Sequence, residues 1–493
     1  MSGWKWWQDR SKHYVVHLSL LVVTTGFGTS SWLGTTTPTI LTRQTSVSFS
    51  TEAEAGPEPA GDPPLPSPYP SPQALGNANE IERTNSPAAG ERGRRTATTT
   101  QTATATQTAT TTQTATTTQT ATTTQTATAT QTAAAGEAGD VVQATADEWP
   151  LFRGDTRSTG VALSKLPEAL QVLWKFSVKD GAFDGTPAIV AGHVYLGDMD
   201  GRLYCLRLSD GEKVWERKVE DGFLAAPAVR RGKIYVGDIG GRFYCLDAKT
   251  GQIEWQFETQ AEIDSSANFY KDNVIVGSQD ATLYCLDAAS GKLVWKYAIA
   301  DQIRCSPTIV ENRAFVAGCD SKLHIVNLET GMELAAVEID SPTGVTPAVL
   351  GDRVFFGTEG ATFYAIDWRQ AKVDWTYEPD KGRQPFRSSP AVTKDCVIFG
   401  GRNKRVQALD PATGKELWRF SARNRIDSSP VIVGERVYVG AADGRVYGLD
   451  TKTGEKVWQY EAGGGFNGSP AVAAGRLIIA NDNGVVYCFG SKP

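Results

Sequence analysis

The sequence predicts an all-β fold, an eight-bladed β-propeller of four-stranded blades, and three observations predict it. Tryptophan recurs at Trp174, Trp215, Trp255, Trp295, Trp375, Trp418 and Trp458, in steps that with one exception are close to forty residues or twice that. Proline keeps the same beat at Pro187, Pro227, Pro307, Pro347, Pro390, Pro430 and Pro470. Between them lie short Val-, Ile- and Tyr-rich runs cut by Gly and Asp turns, without the apolar period of a long helix. A fixed period of this length means one supersecondary unit copied many times.

The chain begins differently. Lys5, Arg10 and Lys12 precede an uncharged stretch, His13 to Gly34, and residues 1–34 read as a secretory signal or a signal anchor. Its apolar core is about ten residues, short of the ~20 of a comfortable spanning helix. No cysteine precedes Cys205, which argues against a lipoprotein. Residues 35–145 are rich in Pro, Ala and Thr, with Gln101, Gln107, Gln113, Gln119, Gln125 and Gln131 evenly spaced. Such a tract cannot bury enough apolar surface to offset its ordering entropy, so a disordered low-complexity linker is expected. At ~5–6 Å × √n it would hold its ends some tens of Å apart, a spacer between membrane and folded head.

Residues 146–493 are expected to form the propeller. Ser429 to Trp458 shows one unit plainly: Pro430 to Val433, a turn at Gly434, then Val437 to Val439. Asp443-Gly444 supplies the positive φ of a hairpin turn, Val446 to Leu449 forms a third strand, and Thr453-Gly454 turns into a fourth with Trp458. Counting on the proline position, with Ala267 replacing one member, gives eight units. The last ends before any tryptophan, while Trp174 stands spare before the first complete unit. Its strand is therefore expected to close the ring as the outer strand of the last blade, leaving no exposed seam.

Composition narrows the function. A net charge of -6 speaks against a nucleic-acid footprint. Four histidines, two of them in the N-terminal segment, leave little for a zinc site or a Ser-His-Asp triad. Cys205, Cys245, Cys285 and Cys488 share one repeat position and read as small buried strand residues; no Cys-x-x-Cys pair occurs. The carboxylates of Asp200-Gly201 and Asp443-Gly444 are isolated, as in hairpin turns and unlike a calcium loop.

These repeats resemble the quinoprotein-type (PQQ-like) repeat family of β-propellers. The resemblance rests on Leu-Asp-Ala-x-Thr-Gly-x-x-x-Trp from Leu246 to Trp255, with close copies ending at Trp295, Trp418 and Trp458, and covers about residues 149–490. Trp149-Pro150-Leu151-Phe152-Arg153-Gly154 looks like the entry segment of exported bacterial members. The resemblance implies that the seven tryptophans are structural staples docking one blade on the next. The fourth blade departs from the pattern with Ala335 at the tryptophan position, which implies a modified contact there. Enzymatic members hold a quinone with calcium, and the alcohol-oxidising kind adds a disulfide between adjacent cysteines; this chain has no Cys-Cys pair.

Variation within the repeat marks a candidate site. Three residues before each proline position stand Asp184, Leu224, Asp264, Arg304, Gly344, Arg387, Asp427 and Asn467. The strand entry lies beside the axis, so Asp184, Asp264, Arg304, Arg387, Asp427 and Asn467 are expected to form a polar collar at one channel mouth. A solvated channel whose opposite charges neutralise each other is the alternative. No catalytic, cofactor-binding or metal-ligating residue is assigned. The expected role is a non-catalytic, exported scaffold at the envelope that binds other envelope proteins or peptides, similar to the propeller component of outer-membrane barrel assembly. Membrane contact is expected through the N-terminal segment only. A quinone-dependent dehydrogenase or a ligand-sensing ectodomain is the alternative.

Overall fold

Eight sheets stand around one axis, each built from about forty residues. The computed structural model describes residues 142–179 and 181–492. The expected signal segment and nearly all of the expected linker lie outside the described residues; Val142 and Ala144 already pack into the propeller's core clusters. We number the blades 1 to 8 from the blade of Ala188 and call the strands of each a to d from the axis outward. In blade 7, Val431–Val433, Arg436–Ala441, Arg445–Asp450 and Lys456–Glu461 pair antiparallel in that order. The a strands of neighbouring blades lie side by side, including those of blades 1 and 8, so the ring is closed.

Closure follows the tryptophan count. Gln171–Ser177 pairs with Val485–Gly490 as strand d of blade 8, and Trp174 stands opposite Cys488 as Trp215 stands opposite Cys205. In every blade the c–d ladder slips by one residue just before the tryptophan position, as between Ile253 and Trp255. A bulge re-aims the side chain that follows it. Here it accompanies an indole that leans onto the next blade. The core lies between blades: Tyr195, Leu203 and Cys205 of blade 1 pack against Ile234, Val236 and Tyr244 of blade 2.

The described cysteines form no disulfide, and burial pushes the Cys205, Cys245, Cys285 and Cys488 thiols up to about 12. They behave as small core side chains. The Asp-Gly turns have a local account too. Asp443 accepts from the Arg445 amide at 3.1 Å and the Tyr447 hydroxyl at 2.7 Å, and Gly444 sits at φ +78°.

Each of the seven periodic tryptophans donates its indole N–H to a backbone carbonyl of the next blade, from Trp174 to Leu208 at 2.9 Å round to Trp458 and Leu170 at 3.1 Å. Six of the rings cover the glycine of the neighbour's c–d turn. A Cβ on Gly251 would stand 2.7 Å from the Trp215 ring, and φ there is +67°. Blade 4 differs: Ala335 has no ring to offer, and Ala371 replaces the glycine in blade 5. Trp368 of blade 5 leans back on Phe315 of blade 4 with ring centroids 5.6 Å apart.

The segment before Trp174 does what its sequence does not announce. It makes one circuit of the ring at the a–b end of the blades, bonding to every blade in turn. The Ala146 carbonyl accepts from Ala474 of blade 8, Trp149 exchanges bonds with Ile189 of blade 1, and Pro150 accepts from Val229 of blade 2. Thr156 then serves blades 3 and 4, Arg157 blade 5, Thr159 blade 6 and Gly160 blade 7. Val161–Ala162 ends the circuit as a parallel strand beside Val431–Val433. The innermost edges of the sheets are thereby covered. Arg153, fully buried, donates to the carbonyls of Pro390 and Pro430. The axial channel expected from the repeats is thus plugged at this end.

Candidate functional site: an axial cup

The collar positions share one cavity. All eight, from Asp184 to Asn467, line an axial space of about 160 Å3 together with Phe152 of the plug. It is a blind cup and not a through-channel. Its wall is a ring of hydroxyls one residue before each proline position. The Ala226 amide donates to Ser266 Oγ at 2.9 Å, Ser266 to Ser306, Ser306 to Thr346, and so on to Ser469 and Thr186. Seven such bonds link the eight blades, and the ring is broken once, at Ala226. The repeated Ser or Thr before proline was the signal for it in the sequence.

The collar side chains are held by partners that the repeat count did not find. Arg387 makes a bidentate pair with Glu359, at 2.7 and 3.0 Å. Asp427 is gripped by Arg402 at 3.0 and 2.8 Å and by Arg425 at 3.0 Å. Asn467 donates to Asp184 at 2.9 Å. Gln279 bridges the other two groups, donating to Asp264 at 2.7 Å and accepting from Arg304 at 3.2 Å. These partners come from the b–c turns and the d–a connections, which meet at this face.

Asp264 is the electrostatic exception. Burial outweighs the pull of Arg304, and with Glu262 nearby its carboxyl is pushed up to about 6. Its Oδ1 is buried without a hydrogen-bond partner in the chain. A carboxylate with unspent acceptor capacity, next to arginines already paired with carboxylates or amides, makes a mouth of mixed charge that can bind polar groups of either sign.

A quinone held by calcium finds little here. Among the described residues no group of three or more His, Cys, Asp or Glu is placed to hold a metal ion. The cup also falls below the roughly 300 Å3 at which small-molecule sites begin, and no two cysteines are adjacent. The residues present do not fit that pair of groups.

The sequence profile of the family described as "Outer membrane protein assembly factor BamB" matches residues 168–304, 263–334, 303–402 and 402–492, more than half of the chain. The chain belongs to this family. Solved structures share the fold. BamB from Moraxella catarrhalis superposes with a TM-score of 0.56 at 22% identity, covering 66% of this chain and 98% of that one. The computationally designed Ika8 protein gives 0.59 at 18% identity, covering 65% and 100%. Quinohemoprotein alcohol dehydrogenase from Comamonas testosteroni gives 0.61 at 16%, covering 70% and 81%. In sequence the same enzyme is 32% identical over 90 residues, and the chain spans only 13% of its length. Among the described residues no helix is long and apolar enough to cross a membrane.

Proposed function

We propose that the chain is a non-catalytic scaffold of the cell envelope, which holds polypeptide partners at the collar of the axial cup. The observation that carries this is the cup itself: charged and amide side chains crowd its mouth, while Phe152 and the plug close it beneath. A site of that shape offers a surface and little interior. The family's description supports a role in outer-membrane protein assembly, with other envelope proteins as partners. In this reading residues 1–34 export or anchor the chain, residues 35–145 act as spacer, and residues 146–493 form the head. Its place is the periplasm or the cell surface.

The test is a strain lacking the chain, scored for its outer-membrane barrel proteins. Wild type should restore them, and Arg304→Ala with Arg387→Ala should not, although the variant melts within a few degrees of wild type. Restoration by the double variant would refute the collar. Alcohol-dependent dye reduction by the purified chain after loading with pyrroloquinoline quinone and calcium would refute the non-catalytic reading.

A further inference from the structure

Seven of the eight blade junctions are filled alike, by an indole donating to a carbonyl of the next blade. The junction of blades 4 and 5 is not. Ala335 holds the tryptophan's position opposite Ile325, just as Trp295 stands opposite Cys285. A cleft of about 400 Å3 opens there, lined among others by Ile325, Leu334, Ala335, Trp368, Arg369 and Arg313. Trp368 closes only one side. Its own indole N–H is spent on the Gly351 carbonyl at 3.1 Å. Its backbone carbonyl is the repeat equivalent of the Ala248 and Ala288 carbonyls that accept indoles elsewhere, and Ala335 sends it none.

The chemistry of the walls selects an occupant. The Arg369 guanidinium lies 4.2 Å from the Trp368 ring centroid and that of Arg313 5.2 Å. Guanidinium planes complement the negative face of an aromatic ring. The Trp368 carbonyl stands where other blades accept an indole N–H and suits such a donor. Ala371, in the place of the glycine that six staples cover, makes a guest ring sit farther out than a staple does. At the rim Leu334 is 50% exposed, as its counterparts Val294 and Leu417 are at filled junctions, and it lies within reach of a guest in the cleft. We propose that this cleft receives the indole side chain of a tryptophan presented by a partner polypeptide. The c–d turns lie at the opposite end of the blades from the collar, so this site stands or falls apart from the axial one.

The experiment uses the purified full chain and 19F NMR of two probes, 5-fluoro-N-acetyltryptophanamide and a short peptide carrying one 5-fluorotryptophan. Both signals should broaden, the amide with an affinity on the order of 1 mM. Ala335→Trp, which fills the cleft from within, should abolish the broadening. Leu334→Glu, at the rim, should weaken binding about fivefold or more without lowering the melting temperature. The Arg304→Ala, Arg387→Ala variant should bind as wild type does. No broadening, or equal broadening with Ala335→Trp and Leu334→Glu, would overturn the site. Binding of the amide but not of the peptide would overturn the polypeptide source. So would self-association of the chain that Ala335→Trp abolishes.

Discussion

Asp264 is where the collar's charge is held against its surroundings. Its folded carboxyl titrates near 6, raised chiefly by burial and opposed by Arg304, whereas an unfolded aspartate titrates at about 3.9. Between those values the native state binds more protons than the unfolded one, so stability falls as pH rises from about 4 to about 6. Asp264→Asn removes that dependence and keeps an oxygen for Gln279. It should stabilise the protein at pH 8 by up to about 2–3 kcal/mol and do little at pH 4. Thermal melts at the two pH values check this, and a variant less stable than wild type at pH 8 would contradict it. A group kept at such a cost is a common mark of a binding position. That Asp264 would face the axis could be read from its place in the repeat. That it alone of the collar would be left half-satisfied could not, because Gln279 reaches it, and Arg304 reaches Gln279, through contacts between separate turns.

At the scale of the element, the staple is a tryptophan, the bulge that aims it and the glycine it covers. Gly251 shows the dependence: it needs φ +67°, and a Cβ would meet the Trp215 ring at 2.7 Å. Gly232 in the a–b turn has φ +74° and nothing within 4 Å of a Cβ, which isolates backbone strain from contact. Gly232→Ala should therefore cost about 1 kcal/mol, the price of a left-handed alanine. Gly251→Ala should cost roughly 2–4 kcal/mol, because the indole must also move. Equal melting temperatures for the two variants would contradict the staple. This element was the most legible part of the chain, since a large residue, a turn and a fixed period all repeat together. Its exception was half legible. The sequence shows Ala335 where an indole belongs, but the answering Trp368 stands out of phase with the beat, and nothing in the repeat pattern points to its place on Phe315.

For the whole molecule, eight blades and their closure by Trp174 were open to counting, and the plug was not. Residues 145–162 have no period, and they act mainly through backbone carbonyls that accept from the a strands. Backbone bonds of that kind leave little trace in side-chain pattern. Yet the plug decides the function proposed here, because it turns a channel into a cup and leaves the collar face as the surface where a partner can meet the axis. The most direct measurement places a photo-crosslinking amino acid at Leu224, an uncharged collar position, and in a second chain at Lys394, on the far face. After irradiation in intact cells, the Leu224 chain should give a discrete crosslinked envelope polypeptide, lost when Arg304 and Arg387 are both alanine. No adduct at Leu224, or the same adduct at both positions, would contradict the account.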